Sequence, residues 1–180
     1  MTREEVWAEL TRVEALTNDS NGGPHEYHKR VVYLHARTMF RLSDAIANEF
    51  MYDHIEVVIA ASERNVVLAQ WIAYFLTNVS SGRNVYGIYA ERSMRAGTLA
   101  WCIWKWFRGR ASFAYEDIVR GKKVLLVEEV LDADGSSQKV VEVVRYLGAH
   151  VIGLGAICNC SEEVARSIDV PKIAALVSVA

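Results

Sequence analysis

Gly121-Lys122-Lys123-Val124-Leu125-Leu126-Val127-Glu128-Glu129-Val130-Leu131-Asp132-Ala133-Asp134-Gly135-Ser136-Ser137 joins an apolar run to an acidic pair and then to a polar, glycine-containing turn. The aliphatic stretch Val124 to Val127, bounded by turn residues, reads as a strand of a parallel sheet buried on both faces. Glu128 and Glu129 then fall at its carboxyl edge, where open α/β sheets place their ligands. Behind them Gly135-Ser136-Ser137 opens a helix from Gln138 to Leu147. Backbone N–H groups and hydroxyls therefore collect at a helix N-terminus, which is a cradle for phosphate. Acids for hydroxyls, beside amides for a phosphate, point to a phosphorylated sugar. The same pattern also describes a plain buried strand whose acids cap a helix or meet solvent, and the order of the other elements decides between the two.

Working outward, Arg3 to Leu16 carries Val6, Leu10, Val13 and Leu16 at helical spacing, and the cluster Asn18 to Pro24 breaks it. His25 to His35 alternates irregularly and is expected to form strand structure over the top of the domain. Thr38 to Phe50 reads as a helix with Phe40, Ile46 and Phe50 inward. Strands are expected at Ile55–Ala60, Asn84–Ala90, Val124–Val127 and Val151–Ile157. Helices at Val66–Leu76 and Gln138–Leu147 lie among them, with Gly148 as the natural stop of the second. Strands alternating with helices predict an α/β fold with a doubly wound, mainly parallel sheet. No internal repeat or linker divides it, so residues 1–180 are expected to form one domain, with a helix and hood over 1–37 and an α/β core over 38–180.

A chain of 180 residues, 52% hydrophobic, has enough apolar surface for an ordinary core. Its formal net charge of −2 offers no general basic field for nucleic acid. No apolar run approaches the roughly 20 residues needed to cross a bilayer, and the polar start Met1-Thr2-Arg3-Glu4-Glu5 is unlike a signal peptide. A cytoplasmic protein is expected, with no membrane and no nucleic-acid partner. Cys102, Cys158 and Cys160 do not make a disulfide framework in such a chain. Cys158 and Cys160 share one face of a strand, but no second Cys or His pair at ligand spacing accompanies them, so they read as small hydrophobes rather than a zinc site.

The segment from Val124 to Ser137 resembles the signature of type I phosphoribosyltransferases, a hydrophobic strand ending in two acids and entering a loop rich in Thr, Gly and Ser. Several further segments, from about Pro24 to Asn159, match the orotate phosphoribosyltransferase branch in order. Val57 to Ala69 is similar to the strand, turn and helix of the family's pyrophosphate loop, with Arg64 on the basic position, Ala60-Ala61 replacing glycine-proline and Asn65 on a glycine position. Val85 to Ala90 leads to Glu91-Arg92-Ser93-Met94-Arg95, which resembles the Arg-Lys-x-x-Lys entry to the mobile catalytic loop. Arg92 and Arg95 stand on its two lysine positions, and their forked donors suit phosphate.

That resemblance implies a type I phosphoribosyltransferase fold with a small hood. It also implies transfer of ribose 5-phosphate from phosphoribosyl pyrophosphate to a nitrogenous base, a pyrimidine favoured. Glu128 and Glu129 would grip the ribose hydroxyls, and Asp132, Ala133, Asp134, Gly135, Ser136 and Ser137 would form the 5′-phosphate loop. Arg64, Arg92 and Arg95 would neutralise pyrophosphate, with Arg95 and Asp132 as catalytic residues. Mg²⁺ would enter with the donor near Glu128 and Glu129 rather than on direct protein ligands, and a homodimer is implied. Asp132 matches the aspartate of purine-using members, as a general base or a stabiliser of the cationic ribosyl centre.

Further departures qualify the match. Asp134 replaces a glycine, and a carboxylate about 4 Å from phosphate costs on the order of 4 kcal/mol at an effective dielectric near 20 unless it points away. Cys160 stands where the orotate enzymes carry an arginine for the substrate carboxylate, and a thiol cannot pair bidentately with a carboxylate. The run Thr98 to Arg110, with Trp101, Trp104, Trp106 and Phe107, is too aromatic for a solvent loop; it reads as a hairpin or subunit interface, or as a lid bringing Lys105, Arg108 or Arg110 over a polyphosphate. His25, Tyr27 and His28 fall in the region corresponding to the family's hood, where they would contact a base, although lone surface His and Tyr residues usually have no such duty. The alternative to an enzyme is a phosphoribosyltransferase-like protein that has lost turnover and senses nucleotides.

Overall fold

Aliphatic strands that need both faces covered build the centre of the molecule. The computed structural model describes residues 1–17, 26–28, 31–79, 83–90, 116–131 and 136–179. Among them, β3 (Val57–Ala60), β4 (Tyr86–Tyr89), β5 (Lys123–Leu131), β6 (His150–Asn159) and β7 (Ile173–Ser178) form a five-stranded sheet in the order β4-β3-β5-β6-β7. Every neighbouring pair is parallel. Helices α1 (Arg3–Arg12), α2 (Ala36–Glu49) and α3 (Val66–Val79) cover one face, while α4 (Glu116–Val119), α5 (Ser136–Tyr146) and α6 (Glu162–Ser167) lie on the other. Strand alternation sorts the core accordingly. Val58, Ala60, Leu125 and Val127 pack toward α2 and α3, and Val57, Ile59, Val124 and Leu126 toward α5.

The doubly wound parallel sheet expected from the sequence is present, with four differences of detail. Helix α1 stops at Arg12, where Glu14 takes a left-handed φ of 59°, and Leu16 instead begins the two-residue strand β1 (Leu16–Thr17). That strand pairs antiparallel with β2 (Glu26–Tyr27), and a 3₁₀ turn at Val31–Leu34 replaces the longer hood strand expected over His25–His35. Phe40 does not face inward. The buried stripe of α2 is Met39, Leu42, Ser43 and Ile46, so Phe40, one residue off it, is 39% exposed and packs edge-on against Trp71 and Phe75. The final strand β7, built largely of small residues, had no periodic signal strong enough to announce it.

Two glycines set how closely α2 lies on the sheet. Gly153 and Gly155 alternate onto the same face of β6, opposite Leu125 and Val127 of β5. A Cβ on Gly155 would come within 2.6 Å of Ile46, and one on Gly153 within 2.6 Å of the Phe50 ring and 2.7 Å of the Lys172 carbonyl. The glycines therefore form a groove that admits the fully buried Ile46 and Phe50. Burying each such side chain stabilises the fold by roughly 1.5–3 kcal/mol.

The N-terminal helix is fixed by a buried carboxylate. Glu9, 6% exposed, accepts hydrogen bonds from Arg12 Nη2 at 2.6 Å, Thr38 Oγ1 at 2.6 Å and Arg41 Nη1 at 2.8 Å, so α1 is tied to α2. The Arg12 hydrogen bond, aided by Thr38 and Arg41, holds its carboxyl below the ordinary value against the opposing effect of burial.

Gly153→Ala should lower stability by roughly 1–3 kcal/mol through overpacking, about 2–4 °C in thermal midpoint per kcal/mol, and an unchanged midpoint would contradict the groove. Because the folded-state pKa of Glu9 is depressed, its contribution is complete well above the ordinary 4.5 and fades as pH falls through the lower folded value. Glu9→Gln should therefore cost roughly 1–3 kcal/mol in urea unfolding at pH 7, with the gap to the parent protein closing toward pH 3.

Candidate functional site at the reversal of the sheet

Numbered by their order in the chain, the core strands lie as 2-1-3-4-5, so the connections leave β3 and β5 in opposite directions. In such sheets the crevice between the first and third strands, outside their carboxyl ends, is where ligands bind. Here the pairing of β3 with β5 ends at Ala60 against Val127, and the Ala61 N–H closes it on the Val127 carbonyl at 3.1 Å. Strand β5 runs on to Leu131, and among the described residues its pairing beyond Val127 is with β6. Glu128 and Glu129 are thus not past the end of their strand, as the shorter expected strand implied. They sit within it, on the step where it projects beyond β3.

Both acids are buried, at 5% and 6% exposure, and alternation sends them to opposite faces. Glu128 turns toward α5 and accepts a short hydrogen bond from the Ser137 hydroxyl. Glu129 turns toward the hood, where the Tyr27 hydroxyl donates to its Oε1 at 3.2 Å. Tyr27 is held there by the β1–β2 ladder, which sets it opposite Leu16, and by the His28 N–H bonding to the Ala15 carbonyl at 2.8 Å. A second phenol, Tyr33, reaches down from the 3₁₀ turn and donates to Asn65 Oδ1 at 2.9 Å. Burial first, and then the negative charge of Glu129, pushes the pKa of Tyr27 far up, and burial with both glutamates does the same to Tyr33. Each phenol accordingly remains a protonated donor at any working pH.

The residues expected from the sequence can now be located. The loop after β3 is a single 3₁₀ turn, Glu63–Asn65, closed by the Asn65 N–H on the Ser62 carbonyl at 3.0 Å. It is made without a left-handed residue, since only Glu14 and His54 among the described non-glycine residues have positive φ. Arg64 is exposed on that turn at the mouth of the crevice, whereas Asn65 is buried beneath it. Ser136 begins α5, and Ser137 is buried against Glu128. Arg92, Arg95, Asp132, Ala133, Asp134, Gly135, His25 and the aromatic segment with Lys105, Arg108 and Arg110 lie outside the described residues. His28 bonds Thr17 Oγ1 at 2.9 Å through Nε2, a contact internal to the hood.

Tyr33 and the side-chain role of Asn65 were missed by sequence reasoning. The one available signal is a lone phenol in the apolar run Val31-Val32-Tyr33-Leu34, and it does not specify a partner 32 residues away. Cys160 stands at the tip of β6, its N–H on the Leu131 carbonyl at 3.0 Å, and its sulfur lies 3.6 Å from that of buried Cys158. Among the described residues, the tip of β6 presents these two sulfurs. Among the described residues, the crevice brings together two carboxylates able to accept from hydroxyls, the N-terminus of α5 and the exposed guanidinium of Arg64. Among the described residues no group of three His, Cys, Asp or Glu side chains could hold a metal ion, and no helix is long and apolar enough to cross a membrane.

No protein-family model matches the chain. In sequence it is 32% identical over 120 residues to the orotate phosphoribosyltransferase of Caldanaerobacter subterraneus, an alignment covering 67% of this chain and 53% of that protein, so the chain spans about half the length of that relative. It is 26% identical over 167 residues to the orotate phosphoribosyltransferase of Desulforamulus reducens, covering 89% of this chain and 77% of that one. In structure it superimposes on the Mycobacterium tuberculosis orotate phosphoribosyltransferase in complex with inorganic phosphate with a TM-score of 0.65 at 15% identity, over 98% of this chain and 95% of that chain. The sheet order, the acidic step on β5 and these likenesses agree: the chain has the type I phosphoribosyltransferase fold and is a relative of the orotate phosphoribosyltransferases.

Proposed function

We propose that the protein is a phosphoribosyltransferase of the orotate type, moving ribose 5-phosphate from phosphoribosyl pyrophosphate to a nitrogenous base, with a pyrimidine favoured. The observation that carries this reading is the buried pair Glu128 and Glu129 on the step between β3 and β5, each oriented by a hydroxyl donor from a different layer. In this reading the two carboxylates accept from the ribose hydroxyls above the strand tip, and the start of α5 faces the 5′-phosphate. Arg64 meets the pyrophosphate, and Arg92 and Arg95 are proposed to join it from the segment after β4. Asp132 is proposed to stabilise the cationic ribosyl centre or take a proton from the base.

Two carboxylates are hard oxygen donors but do not make a cage, which fits a Mg²⁺ ion that keeps several waters and is shared with substrate phosphates. Glu128 and Glu129 would lie beside it through the ligand. When bound, the ion would neutralise negative charge on the departing pyrophosphate. Cys160 at the tip of β6 offers no positive charge to a carboxylate, which favours an acceptor base lacking one. One 180-residue unit, a homodimer and a cytoplasmic setting complete the proposal. The half-exposed aromatic ridge of Phe40, Trp71, Tyr74 and Phe75 on α2 and α3 supports the dimer.

Calorimetric titration with phosphoribosyl pyrophosphate and Mg²⁺ should give saturable binding, and Arg64→Ala or Glu129→Gln should weaken it roughly 10- to 100-fold, the worth of one charge-assisted hydrogen bond. No heat at millimolar donor would contradict the site. Incubation of donor and Mg²⁺ with a panel of bases should release nucleotide and pyrophosphate, with a carboxylate-free pyrimidine turned over faster than orotate. Binding without product from any base would instead identify a nucleotide sensor.

A further inference from the structure

We propose that Cys158 and Cys160 form a reversible oxidation site, closing to an intramolecular disulfide at the tip of β6. The two sulfurs are 3.6 Å apart, one buried and one exposed. Residues two apart on a strand share a face, and here the chain is held so that they stay together. The Cys160 N–H is fixed on the Leu131 carbonyl at 3.0 Å, and the backbone turns at once, with Asn159 Oδ1 accepting from the Ser161 N–H at 3.1 Å. A zinc site would need further ligands, and no third His, Cys, Asp or Glu joins the pair among the described residues. A disulfide needs a separation of about 2.05 Å, so the sulfurs must close by roughly 1.5 Å, a side-chain adjustment. So short a ring is strained, and strained disulfides are the readily reduced ones.

The two thiols have unequal roles. The hydrogen bond with Cys160 and burial keep the Cys158 thiol protonated, so exposed Cys160 meets the oxidant. With hydrogen peroxide, the Cys160 thiolate attacks one oxygen; the O–O bond breaks, hydroxide leaves and a sulfenic acid forms. The Cys158 sulfur then attacks the Cys160 sulfur, the S–S bond forms, and the hydroxyl departs as water with the Cys158 proton. Two electrons pass from the thiols to peroxide, and a dithiol reductant reverses the change. Cys158 is registered against Val130 of β5 and feels the charge of Glu129, so closure takes place in the wall of the acidic crevice. The chemistry does not depend on which ligand that crevice takes.

The test uses the full chain carrying Cys102→Ser, which removes the third thiol, treated with stoichiometric hydrogen peroxide and mapped by non-reducing peptide mass spectrometry. The expected result is monomolecular Cys158–Cys160 disulfide as the main product, seen as the loss of two hydrogens in one peptide and fully reversed by dithiothreitol. Cys160→Ser in the same background, with thermal unfolding confirming that it folds, should yield no disulfide and leave the Cys158 thiol open to alkylation after denaturation. Sulfinic acid on Cys160 beside unmodified Cys158, disulfides between chains, or two unreacted thiols would each overturn the proposal.

Discussion

Two adjacent carboxylates, almost fully buried, stand where the sheet reverses its order, and the rest of the site is arranged around keeping them there. A buried carboxylate without partners is driven to neutralise, at a cost of several kcal/mol. Alternation along β5 makes it impossible for one partner layer to serve both. Glu128 is met by Ser137 at the first turn of α5, and Glu129 by Tyr27 of the hood. The strand tip therefore couples three parts of the molecule that would otherwise pack independently: the hood, the sheet and the helix beyond it.

The hood can perform this only if it is itself held in place. Glu9 anchors α1 to α2 through Thr38 and Arg41, and α2 is seated on β6 by the groove at Gly153 and Gly155. The β1–β2 ladder then presents Tyr27 and the following 3₁₀ turn presents Tyr33, one to an acid and one to the turn after β3. Asn65 offers its side chain as the acceptor for that second phenol, and its 3₁₀ turn forms without left-handed backbone. A chain of contacts thus runs from the N-terminal helix to the crevice mouth at Arg64.

Much of this was legible in the sequence because it depends on strong local signals. The apolar runs at Val57 to Ala60 and Val124 to Val127, and the stop at Gly148 with φ of 80°, mark strands and a helix end regardless of context. The acidic pair and its place at the carboxyl edge followed from the run that precedes it. What escaped was non-local. Nothing in the vicinity of Glu129 names Tyr27 as its donor, 102 residues away, and nothing near Tyr33 names Asn65. Phe40 is expected inward with Ile46 and Phe50, yet the stripe at Met39, Leu42 and Ile46 decides which way α2 faces. β7 was missed since Ile173 to Ser178 includes two alanines and becomes a strand by pairing with β6 rather than by propensity.

The central claim is that the step on β5 receives a phosphorylated ribose. Its most direct measurement is a crystal structure of the protein with ribose 5-phosphate. The account requires the sugar hydroxyls within hydrogen-bond distance of Glu128 and Glu129 and the phosphate at the start of α5. Density for the ligand elsewhere, with both carboxylates still held only by protein groups, would contradict it.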